Sequence, residues 1–439
     1  MSNQDDVGPL FRPAPPAVLA PIATVRQIPS WSELREVVQF RRPRLGRTRR
    51  RLERSHSIRD LREAARRTTP RAVFDYVDGA AEEEITAARN VAAYRRITFR
   101  PDALRSVASP DSSIILLGQR IAMPLMFAPT GYTRMMHHHG EAAVASVAQH
   151  VGVPYALSTM GSTSIEDVRA AAPGGDLWFQ LYLTANRRLN EELLARAEAA
   201  GYSTVLLTVD TTVSGMRLRD VLNGLTIPPT LTARTALNMS RFPTWWFNKL
   251  TTGGMTFASL DGIPGKPTPG EVANMLFDPG LNLESLTWLR RRWRGNLLVK
   301  GVTTPASARE ILEHGADGVV VSNHGGRQLD RSAATLDVLP AIRAAVGLEA
   351  TVLIDGGVLH GQDIVAARAL GADAVMIGRA YLYGLMAGGQ GGVLRAFEIL
   401  AEGYQRSMQL LGVRRSEDLS DRHVAFASHA AGDYPHVSV

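Results

Sequence analysis

The chain has 439 residues, a net charge of +7, an apolar fraction of 45% and no cysteine. That length suits one large barrel with additions, or two domains, and the lack of cysteine excludes disulfides, thiolate metal sites and thiol catalysis. There is no run of eighteen apolar residues, so no segment is expected to span a membrane.

Residues 1–55 are rich in Pro and Arg, lack periodicity and read as a loosely ordered leader. Its apolar stretch PPAVLAPIATV is broken by three prolines and has no charged n-region before it, so it is not expected to be a signal peptide. Much of the positive charge sits in RRPRLGRTRRRLERS, residues 41–55. A solvated arm and attraction to an anionic membrane surface both fit that run. Nucleic acid is not expected, because no helix-turn-helix, zinc or aromatic RNA-reading pattern accompanies the charge. From Ile58 the pattern turns helical, through IRDLREAARR and then PRAVFDYVDGAAEEE.

From residue 125 a repeat appears. Short apolar, β-branched runs end abruptly in polar or glycine residues: LMFAPTG, YALSTMG, LWFQLY, TVLLTVD, NLLVKG, GVVVSNHGG, TVLIDGG and AVMIGR. Most gaps hold alanine-rich amphipathic stretches ending in Gly, such as GEAAVASVAQHVG and GQDIVAARALG. Continuous apolar strands alternating with helices predict a parallel sheet covered on both faces. Eight such units predict an α/β (β/α)8 TIM barrel with an N-terminal helical segment. The alternative, an open doubly wound sheet, lacks a glycine fingerprint after the first strand. The gap at 211–295, after strand four, predicts a long insertion at about 225–285, which contains RFPTWWFNKLTTGG. The barrel is expected over residues 56–430, with a tail at 431–439.

Chemistry in such barrels sits at the C-terminal strand ends. Here these ends carry Thr130, Ser158, Gln180, Tyr182, Thr208, Asp210, Lys300, Ser322, His324, Asp355, Gly378 and Arg379. The loops DGGVLHG and GRAYLYG, after strands seven and eight, suit a phosphate, with Arg379 as a fixed fork. Lys300 ends a buried run and needs an anionic partner. An Asp or Glu pair, a Schiff base, and a place beside the N1 end of a flavin all satisfy it. In SNHGGRQLD, residues 322–330, His324 is a candidate base and Asp210 its counter-charge. Gly325 and Gly326 permit a tight bend that turns Arg327, a carboxylate fork, back to the same cavity. Arg217, in SGMRLRD, is a second clamp. A base, a carboxylate clamp and a flavin describe oxidation of a 2-hydroxy acid.

These residues resemble the FMN-dependent L-2-hydroxy acid oxidases and dehydrogenases, from about Ile58 to about His423. FDYVDGAAEEE, APTG, FQLY, LTVD, LVKG, SNHGGRQLD, DGG and IGRAYLYGL match in that order, and the chain most resembles the bacterial quinone-linked L-lactate dehydrogenases. The resemblance implies FMN, His324 as base, Asp210 as its partner, and Tyr76, Tyr182, Arg217 and Arg327 as substrate contacts. It implies flavin contacts at Pro129, Thr130, Gly131, Ser158, Gln180, Thr208, Lys300 and Ser322, and a phosphate end at Asp355, Gly356, Gly357, Gly378 and Arg379. It also implies a homo-oligomer, a tetramer or larger, and the lack of cysteine fits a cytoplasmic protein. Peripheral contact with the inner face of the membrane stays open, as does O2 in place of quinone. A non-catalytic FMN or phosphometabolite barrel is the alternative of another class. Two departures stand out. Leu359 replaces an arginine many members use at the phosphate, which leaves Arg379, backbone amides and His360. Met160 replaces the tryptophan of glycolate oxidase near the substrate.

MHHHG, residues 136–140, looks like a metal site, but adjacent histidines are not expected to converge on one ion and no acidic ligand is spaced to help, so no metal is expected. TWWFNKL, residues 244–250, reads either as a membrane-interface or quinone-docking patch or as lid or subunit packing.

Overall fold

All eight β-branched runs form strands: β1 (Leu125–Phe127), β2 (Tyr155–Ser158), β3 (Leu177–Leu181), β4 (Thr204–Thr208), β5 (Asn296–Val302), β6 (Gly318–Val321), β7 (Thr351–Asp355) and β8 (Ala374–Ile377). They pair in parallel and in chain order, and β8 closes on β1 through Val375 opposite Leu125, which makes a closed barrel. The structure, a computed structural model, describes residue 30 and residues 46–224, 240–252, 257–260 and 278–426. All but Ser30 lie in the unit that begins at Gly46.

Among the described residues four helices precede the barrel: α1 (Arg47–Glu53), α2 (Ile58–Thr68), α3 (Arg71–Asp78) and α4 (Ile85–Arg95). The first barrel loops carry α5 (Thr133–Met136), α6 (Gly140–Val151), α7 (Ile165–Ala171) and α8 (Arg187–Ala199). The segment after β4 contributes α9 (Leu218–Leu222), α10 (Pro243–Thr251) and α11 (Leu283–Arg292). Then come α12 (Pro305–Glu313), α13 (Thr335–Val346), α14 (Gly361–Ala369) and the long α15 (Arg379–Leu411). Local chemistry sets their starts. Ser57 and Asp60 form a capping box on α2, the Asp60 amide donating to Ser57 Oγ at 3.1 Å and the Ser57 amide to Asp60 Oδ2 at 2.9 Å.

Packing divides into two clusters. The larger fills the space between strands and helices. The smaller lies inside the barrel and includes Met126, Ala156, Trp178, Leu206, Leu298, Val320, Leu353 and Met376, one from each strand, above the floor residues Ile114, Leu116 and Ile121. Side chains alternate with period two along a strand. Two residues beyond these inward positions stand Ala128, Ser158, Gln180, Thr208, Lys300, Ser322, Asp355 and Gly378. The same alternation that fills the barrel therefore turns this set to its C-terminal mouth.

Two segments differ from expectation. The sequence extends the helical pattern of PRAVFDYVDGAAEEE through the acidic run, but α3 stops at Asp78. The amides of Ala81 and Glu82 instead donate to the carbonyls of Gly326 and Met216, each at 2.8 Å, so tertiary docking overrides local propensity. The leader's last residues form α1, where Leu52 packs against Gly388 and Gly391 and Arg51 Nη1 donates to the Ala387 carbonyl at 2.7 Å. A single leucine makes this contact, so no periodicity announces it. Residues 1–29 and 31–45 of the leader, most of the insertion and the tail lie outside the described residues.

Candidate active site

Strand β5 carries the first special feature of the mouth. Its register shifts between Lys300 and Val302. Gly301 sits there at φ +107, and a Cβ on it would lie 2.7 Å from the Cβ of Asp210. This bulge makes room for Asp210 beside β5.

Asp210 Oδ1 accepts from His324 Nδ1 at 2.9 Å. Burial acts to raise the Asp210 pKa, but His324 and Lys300 outweigh it and hold the carboxyl below its ordinary value. With Nδ1 engaged, Nε2 is the ring nitrogen left for chemistry. His324, Gly325 and Gly326 follow one another at φ 56, 63 and 78. A non-glycine residue in the left-handed region is strained, and such strain gathers at functional sites. Gly326 has no alternative residue: a Cβ there would lie 2.6 Å from the Ala87 amide.

The turn delivers Arg327 to the C-terminal end of α3. Its Nη1 donates to the carbonyls of Tyr76 at 2.6 Å and Gly79 at 3.0 Å, and its guanidinium lies 4.9 Å from the centre of the Tyr76 ring. Arg217 approaches the same ring at 5.9 Å and pairs with Asp220 at 3.3 Å. Burial, then Arg217 and Arg379, pull the Arg327 pKa down to about 10. Cations gathered this closely repel one another, which is the electrostatic signature of a place for an anion. Tyr182 joins the group: burial and nearby Asp210 raise its phenol.

Lys300 Nζ donates to Ser322 Oγ at 2.7 Å and lies 3.0 Å from Asp355 Oδ2. Burial opposes its charge, but Asp355 and Asp210 outweigh burial and raise its pKa. Of the three readings for this lysine the carboxylate pair is present, and one of its three N–H groups is left over. Gln180 Nε2, Thr208 Oγ1, Asp210 Oδ2 and Asp355 Oδ1 are buried with no hydrogen-bond partner among the described residues. Each such group costs about 1–3 kcal/mol unless something polar covers it. A heteroaromatic ring with amide and carbonyl edges and a hydroxylated chain fits this set, so the residues present suit FMN.

At the expected phosphate end the side chains already have protein partners. Arg379 Nε, Nη1 and Nη2 donate to the carbonyls of Val77, Gly325 and Gly79 at 2.8–3.0 Å, so the fork ties α3 to the His324 turn. The amides of Leu359 and His360 both donate to Asp363 Oδ2, and the His360 ring lies beside that carboxylate. Asp363 pushes the His360 pKa up through this hydrogen bond. Gly356 and Gly357, at φ 92 and 85, pack against Asn90 of α4. Thr130 Oγ1 lies 2.6 Å from the Tyr381 hydroxyl, while Pro129 and Gly131 flank it.

Several residues here carry no distinct signal in the sequence. Asn90 and Asn323 exchange two side-chain bonds of 2.8 Å. Asp330 Oδ1 accepts from the Thr86 amide at 2.8 Å, at the start of α4. Gln328 Nε2 donates to the carbonyls of Asp210 and Val213. Asn323, Gln328 and Asp330 lie within SNHGGRQLD and were findable as polar neighbours of the turn, though their partners were not. Tyr132 at φ 55 has a buried hydroxyl without a partner among the described residues, raised by burial and by Tyr76.

Residues 65–426 match the model of the FMN-dependent dehydrogenase family. A Mycobacterium tuberculosis protein is 48% identical over 403 residues, 92% of this chain and 97% of that protein. The L-lactate dehydrogenase of Caulobacter vibrioides is 41% identical over 381 residues, 86% of this chain and 99% of that protein. Among solved structures, the monotopic membrane protein (S)-mandelate dehydrogenase superposes with a TM-score of 0.82 at 35% identity, over 85% of this chain and all of that one.

Proposed function

The chain belongs to the FMN-dependent dehydrogenase family, and from that premise we propose that it oxidises L-lactate to pyruvate and passes the electrons to a quinone. At the coarser level it is an FMN-dependent L-2-hydroxy acid dehydrogenase. The observation that carries the reading is the His324–Asp210 pair next to two guanidiniums gathered around Tyr76.

In this reading Arg217 and Arg327 grip the substrate carboxylate, and the hydroxyls of Tyr76 and Tyr182 orient it. His324 Nε2 takes the proton of the 2-hydroxyl, and Asp210 stabilises the imidazolium that results. Bound FMN supplies the acceptor for the Cα hydrogen and its electron pair. Pro129, Thr130, Gly131, Ser158, Gln180, Thr208, Lys300 and Ser322 would hold its ring and ribityl portion. Asp355, Gly356, Gly357, Gly378 and Arg379 would hold the phosphate end, Arg379 through the N–H groups its carbonyl partners leave over. L-Lactate is favoured by the name of the Caulobacter relative, and mandelate by the name of the solved one.

Among the described residues no helix is long and apolar enough to cross a membrane. Peripheral contact is proposed at α10, where Phe247 and Leu250 are 68% and 78% exposed. Assembly as a homo-oligomer is proposed on the resemblance alone.

One experiment tests the reading. Purified protein is reduced anaerobically with L-lactate or (S)-mandelate, then reoxidised with a soluble quinone or with O2. Rapid bleaching by L-lactate and faster reoxidation by quinone are expected. A colourless protein that stays so after FMN addition sinks the flavin reading. Faster bleaching by mandelate moves the substrate, and stoichiometric peroxide moves the acceptor to O2.

A further inference from the structure

A cluster outside the catalytic mouth lies where α5 meets α6. His137 is extended at φ −155, His139 is helical at φ −67, and the Gly140 amide donates to the His137 carbonyl at 2.9 Å. This reverse turn stops the side chains from alternating. The three rings of His137, His138 and His139 stand with centroids 4.3–4.5 Å apart. One nitrogen from each lies within 4.8 Å of the other two. The three imidazoles are drawn together because a tight turn replaces the extended chain that the sequence reading assumed.

We propose that His137, His138 and His139 form a three-imidazole site for a divalent cation of the zinc class, with a fourth position open to water. Tetrahedral ligands about 2.0–2.1 Å from zinc stand roughly 3.4 Å apart. Side-chain rotation of about 1 Å per ring closes the gap. The bonds given up are long: the His139 amide to His137 Nδ1 at 3.2 Å, and the Gln390 amide to His139 Nδ1 at 3.4 Å. His138 Nδ1 is buried and has no partner among the described residues. Glu141 is not a ligand, since Thr133, Ser162 and Thr163 already occupy its carboxylate. A nitrogen-only set favours zinc, copper or nickel over magnesium or calcium. Arg134, whose charge acts on His138, opposes the ion and makes the site weaker than a closed thiolate site. A bound ion would fix the α5–α6 turn against the kink of α15. There Gly389, at φ +61, leaves room that a Cβ would take at 2.7 Å from His137 Cε1.

The test uses the FMN-loaded full chain, stripped with chelator and titrated calorimetrically with zinc chloride, with FMN absorbance as the check on folding. One zinc per chain and a rise in Tm are expected. His138→Gln, and separately His137→Ala with His139→Ala, should each lose that stoichiometry, while His314→Ala and His324→Gln keep it. Absence of zinc binding by the parent overturns the proposal. So does unchanged binding by both cluster variants, or loss of binding in His324→Gln, which would put the ion at the catalytic pair.

Discussion

His324 shows how much one residue depends on its neighbours. Its Nδ1 is bound to Asp210, so only Nε2 can take a proton, and the left-handed turn that aims the ring needs glycine at the next two positions. His324→Gln keeps the size of the side chain and removes the base. Anaerobic flavin reduction by L-lactate should slow by about 10²–10⁴-fold, in line with loss of a general base, with FMN still bound by absorbance. Near-parental reduction would remove the assigned role. The sequence makes His324, Asp210 and Arg327 legible because their chemistry is distinctive and they stand at strand ends. Asn90 and Asn323 are illegible because a buried amide pair joins residues 233 positions apart, and neither residue carries a local mark of it. Arg379 lies between these cases. Its position is readable, but its three backbone acceptors on α3 and the His324 turn come from distant segments.

Among the elements, β5 and the α5–α6 turn are the most informative. The bulge at Gly301 allows β5 to carry Lys300 inward and still clear Asp210. Gly301→Ala would force an L residue to φ +107 and push its Cβ into Asp210, a conformation costing at least about 1–2 kcal/mol. Turnover should fall more than FMN affinity, because the displaced group is the hydrogen-bond partner of the base His324. A parental kcat, measured with quinone as acceptor, would show that the bulge tolerates the methyl group. Strand boundaries read from the sequence run past the hydrogen-bonded residues. LMFAPTG and GVVVSNHGG include the mouth loops, yet pairing ends at Phe127 and Val321. Where a ladder stops depends on its neighbours, which no single run records.

For the whole molecule, the segment ahead of the barrel is tied to the insertion side through Asp78. Its carboxylate accepts from Arg62 Nε and Nη2, from Arg219 Nη1 and from the Tyr383 hydroxyl. Burial acts to raise the Asp78 pKa, but these donors outweigh it, so the folded value lies below the ordinary carboxylate value of about 3.9. Its contribution is therefore complete above that pH and is lost as pH falls through the lower folded value. Asp78→Asn should cost about 1.5–3 kcal/mol at pH 7, the range for hydrogen bonds to charge. The difference in denaturant midpoints between parent and variant should narrow as pH falls below about 4, and a gap that widens on acidification would contradict this. The unit beginning at Gly46 supports a second prediction. Deleting residues 1–45 should leave FMN content and turnover within about two-fold, whereas Leu52→Ala in the full chain should cost on the order of 1–2 kcal/mol in thermal or denaturant unfolding. Loss of FMN in the truncated protein would place the leader in the catalytic unit.

By itself the sequence determined the barrel and the composition of its mouth, because both follow from periodicity: eight β-branched runs, helices between them, and polar residues two positions beyond six of the eight inward apolar ones. Only the tertiary structure decided which of those polar groups face one another. Lys300 with Asp355, Arg379 with carbonyls rather than an open cradle, and three neighbouring histidines gathered by a turn are all matters of distance. Distances between side chains depend on packing across the closed barrel, and a pattern read along one strand contains no term for it.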